Sequence, residues 1–208
     1  QRANYTVKKA KELAYQNLLD MKKILKWNVE NNIYHYRMSS DMFPRMNDLQ
    51  VENYTIDEFR PLLKKLGNYC KRKNITVAMH RAQFNQIGTP TKKVFESTIK
   101  DLQHHANLMD AMDIEGIHGG GVYSDKENTI ERWIKQFQTL PESIKNRIAL
   151  ENCELQYNIE DCLYIAEKCD IPVIFDIHHF NCYNKKHKLD WKAEKYIPYV
   201  LNTWKDKT

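Results

Sequence analysis

Five short strand-like stretches, the first rich in aromatics and the third short and poor in apolar residues, each followed by a longer segment of helical periodicity, set the tightest limit on what this chain can fold into. The runs are "NIYHYRMSS" (32–40), "ITVAMH" (75–80), "DIEGIHGGG" (113–121), "RIALEN" (147–152) and "IPVIFDIHH" (171–179). Before the first of them, residues 7–31 carry Ala14, Leu18, Met21, Ile24, Leu25 and Trp27 at three- and four-residue spacing, an amphipathic helix. Helical patterns then occupy 54–73, 92–112, 126–137, 158–169 and 190–204. Pro61 forbids an unbroken helix from Thr55, so either the start shifts or the first turn is separate, and Pro198 is expected to interrupt the last helix. A helix followed by repeated strand–helix units calls for a parallel sheet with right-handed crossovers. The fourth and fifth strands are flanked by Gly or Pro and read as buried on both faces.

Two folds share this rhythm, an open doubly wound sheet and a (β/α)₈ TIM barrel. A nucleotide-binding open sheet usually places a glycine-rich phosphate turn after its first strand. Here the first strand ends in "SSDMFP". A barrel instead gathers functional groups at the carboxyl ends of several strands, and four of these runs end in ligand-type residues. The expectation is an α/β protein of the TIM-barrel kind, a single domain over 1–208. With five strands visible, strand 1 and strands 7 and 8 of the barrel are expected to be missing.

The bulk numbers narrow the classes. With 42% apolar and 28% charged residues the chain reads as globular, and no apolar run approaches the roughly 20 residues of a membrane helix. The opening "QRANYTVKKAKELAYQ" has no initiator Met and no signal peptide, and reads as mid-protein sequence. Cysteines 70, 153, 162, 169 and 182 are odd in number with no CxxC spacing, which suits reduced thiols in an intracellular protein. The net charge is +5, with lysine clusters at 8–11, 71–73 and 184–188. That balance permits a polyanion partner, although most lysine runs are solvated surface.

Collected by strand end, the polar groups are His80, His118, Glu151, Asp176, His178 and His179. Corresponding strand ends of a barrel converge on one mouth. Imidazole and carboxylate without thiolate suit Mn, Zn or Fe, and several such groups permit a site of two or three metals bridged by a carboxylate. Alone, a strand-end histidine is more often structural, and Glu151 could pair with a lysine. Four consecutive strands ending this way favour metal. Alternation along an extended chain sends only one of His178 and His179 inward with Asp176, and spacing does not choose between them. His104 and His105 lie mid-helix and read as packing or surface. His35 and His187 show no partner. The glycines at 119–121 lack the GK[ST] of a phosphate loop and suit close backbone approach beside a metal.

The stretches "NLLDMKKILKWNVENNIYHYRMSSDMFP" (17–44), "IHGGGVYSDKE" (117–127), "IALEN" (148–152) and "IPVIFDIHH" (171–179) resemble those of UV damage endonucleases, over nearly the whole chain. These are (β/α)₈ enzymes related in fold to endonuclease IV and xylose isomerase. The resemblance implies an endonuclease that nicks double-stranded DNA immediately 5′ to pyrimidine dimers and (6-4) photoproducts, leaving a 3′-hydroxyl and a 5′-phosphate. It implies a cluster of up to three divalent ions, typically manganese, in the complete protein. His80 matches the family's HPxQ histidine, His118 that of IHxGG, Glu151 the bridging glutamate, Asp176 the aspartate after strand 6 and His179 the second histidine of DIHH. Glu151 and Asp176 would then be catalytic. Gln83 and Phe84 match the dipeptide that wedges into the duplex, with Arg81 in place of the usual proline and Phe84 in place of tyrosine. The family's modified lysine, a further histidine and a final glutamate ligand would follow Thr208. A monomer acting on DNA, with no membrane partner, is expected. The rival readings are a divalent-metal sugar isomerase or epimerase on the same barrel, and a catalytically inactive barrel that binds damaged DNA.

Overall fold

The computed structural model describes residues 5–46, 54–80, 86–114, 117–120 and 126–207, with the backbone alone at 80, 117–120, 126 and 127. In chain order the elements are α1 (Val7–Glu30), β1 (His35–Met38), α2 (Arg60–Arg72), β2 (Thr76–His80), α3 (Lys92–Met112), β3 (Ile117–Gly120), α4 (Lys126–Gln138), α5 (Glu142–Lys145), β4 (Ile148–Glu151), α6 (Ile159–Cys169), β5 (Val173–Ile174), α7 (Ile177–His187) and α8 (Ala193–Thr203). Their contacts group into two units: Gln1–His80 with Lys100–Ile117, and Arg81–Ile99 with His118–Thr208.

In the first unit, α1 starts where the Thr6 hydroxyl accepts the Lys9 N–H at 3.2 Å, satisfying one of the donors a helix start leaves open. Ala10, Ala14, Leu18, Met21 and Leu25 form its buried stripe. Ile24 and Trp27, expected on that stripe, are 42% and 56% exposed, because they fall one position to its side. β1 and β2 pair in parallel from His35 opposite Thr76 to Met38 opposite Met79. His35 has a partner after all: its Nδ1 lies 2.8 Å from the Thr76 hydroxyl.

The Pro61 question resolves as a separate first turn. Ile56–Phe59 is a 3₁₀ turn, and Pro61 then sits in the first turn of α2, where a missing N–H costs nothing. One residue of α2 is constrained more severely. A Cβ on Gly67 would overlap the main-chain carbonyl of Met112 at the end of α3. Gly67→Ala gains about 1 kcal/mol in helix propensity, but overpacking against backbone costs about 1–3 kcal/mol. A net loss of stability is expected, read as a lower denaturant midpoint at unchanged slope.

His104 and His105 are packing residues, as their mid-helix position suggests. His105 is fully buried, and the His104 ring meets Phe43 edge-on at 6.2 Å. Burial, together with the neighbouring His105, pushes His104 down to about 4 from 6.5, against a smaller opposing pull from Asp101. Burial also lowers His105, with Asp101 opposing. Both folded values lie below the unfolded one, so between about pH 6.5 and 4 the unfolded chain binds more protons. This stability is therefore fully present above pH 6.5 and is lost as the pH falls toward 4. The displacement of His104 alone corresponds to about 3 kcal/mol at most. Urea midpoints between pH 7 and 4 should fall for the native chain and fall less for His104→Phe.

In the second unit β3, β4 and β5 are parallel, with His118 opposite Ile148 and Leu150 opposite Val173. Burial of Ile148, Ala149, Leu150 and Val173 matches the expectation for strands covered on both faces. The segment at Gly88–Thr89 is tied to α4. The Arg132 Nε–H donates to the Gly88 carbonyl at 2.7 Å, and the Gln136 amide donates to that of Thr89 at 3.1 Å. α6 opens with a reciprocal cap, the Asn158 side chain accepting from Asp161 N–H and the Asp161 carboxylate from Asn158 N–H.

The expected strand over 171–179 is mostly not a strand. Only Val173–Ile174 pair, and α7 begins at Ile177. Asp176 is the reason: its carboxylate accepts the His179 N–H at 2.9 Å, which caps a helix rather than prolonging a ladder. α8 also departs from expectation, running through Pro198 unbroken. The carbonyl deprived of its partner belongs to exposed Glu194, in the first turn. Beyond it, the outer edge of β5 is closed by side chains. Val173 N–H donates to the Thr203 hydroxyl at 2.9 Å, and the Trp204 indole N–H donates to the Val173 carbonyl at 2.7 Å. All five cysteines are free thiols.

Candidate metal centre

β4 and β5 end side by side, Glu151 level with Ile174. Glu151 therefore sits at the last position of one strand, and Asp176 two residues past the end of its neighbour. One buried side chain locks the two chain segments together. Asn152, 1% exposed, accepts the Asp176 N–H on its Oδ1 at 2.8 Å and donates its Nδ2–H to the Asp176 carbonyl at 2.9 Å. The start of α7 then swings His179 back over β4. Its ring Nδ1 lies 3.0 Å from the Asn152 carbonyl. A nitrogen facing a carbonyl must carry the proton, so the lone pair is on Nε2, the arrangement in which a backbone carbonyl orients a ligating imidazole.

These bonds bring Glu151, Asp176 and His179 together, each partly exposed, with one donor atom apiece inside a 4.8 Å span. Ligands at about 2.0–2.2 Å from a common ion stand at most about 4.4 Å apart, so a small contraction would seat one cation. Two carboxylates and an imidazole suit Mn, Zn or Fe by their chemistry. Asp176 spends Oδ1 on the helix cap, which leaves Oδ2, 3.9 Å from His179 Nδ1, as its outward oxygen. Glu154 lies nearby, one oxygen 3.6 Å from His179 Nε2.

The helical start of α7 also separates the adjacent histidines. His178 is exposed, its Nε2 3.7 Å from the Cys182 sulfur on the next turn, and it stands outside the cluster. His80 is the last residue of β2, and His118 the second of β3 rather than a strand-end residue. Their side chains, together with Gln83, Phe84 and Gly121, lie outside what the structure describes. Sequence reasoning overlooked Asn152 and Glu154. The available signal was a polar pair just past a strand end, "EN" and then "CE", in a segment that otherwise reads as core.

Parallel strands with helical crossovers, and two carboxylates and an imidazole gathered just beyond the ends of two of them, are the arrangement of a barrel that carries its functional groups on one rim, here a set that could hold a cation. Comparison with known proteins narrows this. The family model for UV-endonuclease UvdE matches residues 1–208. The UV DNA damage endonuclease of Clostridium perfringens is 36% identical over 195 residues, covering 91% of this chain and 46% of that protein. A putative UV-damage endonuclease of Acanthamoeba polyphaga mimivirus is 33% identical over 204 residues, covering 94% and 61%. The crystal structure of SacUVDE superposes with a TM-score of 0.90 at 30% identity, covering 99% of this chain and 71% of that one. Fold alone is shared with D-psicose 3-epimerase from Clostridium cellulolyticum (TM-score 0.63, 12% identity, 88% and 64% covered). The same holds for endonuclease IV from Thermus thermophilus (0.56, 10%, 88% and 65%). The chain belongs to the UV-endonuclease UvdE family, and the expected TIM-barrel α/β fold is borne out. It spans about half the length of the curated relatives it matches.

Proposed function

We propose that this chain carries the metal-binding part of a UV damage endonuclease, which nicks duplex DNA immediately 5′ to pyrimidine photoproducts. The observation that carries the reading is the Glu151–Asp176–His179 cluster, in a chain that the family model matches throughout. These three residues, with His80 and His118, would hold divalent ions, manganese foremost. Bound there, such ions would neutralise charge on the phosphate and lower the pKa of water enough to make hydroxide available as the nucleophile near neutral pH. The chain's own task is positioning. Asn152 fixes Asp176, the Asn152 carbonyl fixes the His179 ring, and the end of β4, paired with β5, presents Glu151. Glu151 and Asp176 are the catalytic carboxylates of the proposal. Gln83 and Phe84 would wedge into the duplex where a photoproduct has already weakened stacking, so that kinking costs less than in intact DNA. A single barrel domain, acting as an intracellular monomer, completes the reading.

The test is nicking of ultraviolet-irradiated plasmid in manganese, run on this chain and on its native reading frame. Irradiated plasmid should be nicked by the reading frame and unirradiated plasmid spared. Epimerisation of a ketose without nicking would establish the isomerase reading, and lesion binding without nicking the inactive one. Within this assay Phe84→Ala should weaken preference for irradiated duplex by roughly 1–3 kcal/mol, measured by competition in calcium, while metal content stays unchanged. Unchanged lesion preference would remove the wedge.

A further inference from the structure

The helix that the sequence pattern hid, α7, carries more than a metal ligand. Its last turns hold Lys185 and Lys186, and Lys188 caps it. The exposed His187 ring stacks on Tyr183, centroids 4.2 Å apart and planes 28° from parallel, and Tyr183 in turn stacks over Trp191 at 6.3 Å and 27°. The stack is anchored at its middle ring and at one end. The Asn184 side-chain amide donates to the Trp191 carbonyl at 2.9 Å, and that of Asn158 donates to the Tyr183 hydroxyl at 3.3 Å. Asn158 begins α6, the helix entered from the carboxyl end of β4, so this bond fixes the stack on the same rim as Glu151. Lys192 is neutralised by Asp190 at 2.6 Å and Lys195 meets Glu160 at 3.7 Å. Lys185, Lys186 and Lys188 make no ion pair among the described residues.

We infer that this end of α7 is a docking wall for the phosphodiester backbone of duplex DNA, an inference that rests on the function proposed above. Three lysines stand unneutralised on a helix turn that the aromatic stack holds rigid. A flexible lysine tail pays ordering entropy on binding, and a braced one pays less. The distance is also suitable. Seven residues separate His179 from Lys186, about 10 Å along a helix, or about three phosphates of one strand at its ~3.4 Å rise. The wall would thus grip the strand a few nucleotides from the phosphate at the metal cluster, without reading bases.

The experiment is fluorescence anisotropy of an undamaged 20-base-pair duplex (roughly two helical turns) in calcium across a salt series. The native chain is compared with K185Q/K186Q/K188Q and with the control K71Q/R72Q/K73Q. Each lost phosphate contact lowers the slope of log affinity against log salt by about 0.9, so the α7 variant should lose about 2–3 and the control nothing. Manganese content, equal in all three, verifies that the cluster is intact. An unchanged slope in the α7 variant overturns the wall, as does an equal fall in the control, which would mean diffuse charge. Loss of binding to phosphatidylserine vesicles with duplex binding intact would assign the patch to a membrane surface and also overturn it. A native chain that binds no duplex at all strikes at the proposed function itself.

Discussion

On the function proposed above, Glu151→Gln in the native reading frame is expected to abolish nicking of irradiated DNA, and in this chain to weaken manganese binding by at least about 100-fold. The amide keeps the size of the carboxylate and removes its charge, so β4 and its pairing with β5 should survive. Disturbing a partner that merely orients a ligand costs about 10–100-fold in metal affinity, and losing a charged ligand outright belongs at or beyond that upper end. Elemental analysis after gel filtration in manganese, with circular dichroism for the fold, decides the matter. Equal metal in the two forms would place Glu151 outside the site and reduce the cluster to Asp176 and His179.

The second large effect should come from a residue that touches no ion. Asn152→Ala removes both side-chain bonds to the Asp176 backbone. The Asp176 carbonyl keeps a bond from Phe180 N–H at 3.0 Å, so the N–H is the group deprived of its partner. Leaving such a donor unsatisfied costs about 1–3 kcal/mol, and the freed segment carries both Asp176 and the cap that orients His179. A loss of about 2–3 kcal/mol in stability and about 10–100-fold in manganese affinity is expected. Calorimetric titration beside urea denaturation separates the two. Asn152→Asp, which keeps the acceptor for Asp176 N–H, should recover part of the stability. If Asn152→Ala loses stability with full metal affinity, the amide holds the fold and not the site.

Helices were the most legible part of the sequence because a 3.6-residue period repeats over many residues. The pattern at 92–112 coincides with α3 at both ends. The region after β5 shows where that signal stops. In "VIFDIHHF" Asp176 is flanked directly by the apolar Phe175 and Ile177, so nothing beside it marks a change from strand to helix. The change is made by one carboxylate bonding one N–H three residues on, and Ile177, read as strand core, is 52% exposed. The choice between His178 and His179 follows from that same bond, since strand alternation no longer applies once α7 has begun. Glu151 and Asp176 could be read as site candidates because charge at the end of a buried run has no packing use. Asn152 could not, since an uncharged amide at such a place is equally at home in any turn.

The side chains closing the edge of β5 act as a register stop. In a parallel ladder one residue directs both its backbone groups to the same side, and the Pro172 carbonyl bonds Leu150 N–H at 2.9 Å on the β4 side. Both groups of Val173 therefore face outward, and Thr203 and Trp204 occupy them. Any segment adding to that edge can pair only from Phe175 onward. The end of α8 thus works as a ruler: it sets where a neighbouring strand may begin, and so at what height that strand's last residue would stand beside Asp176.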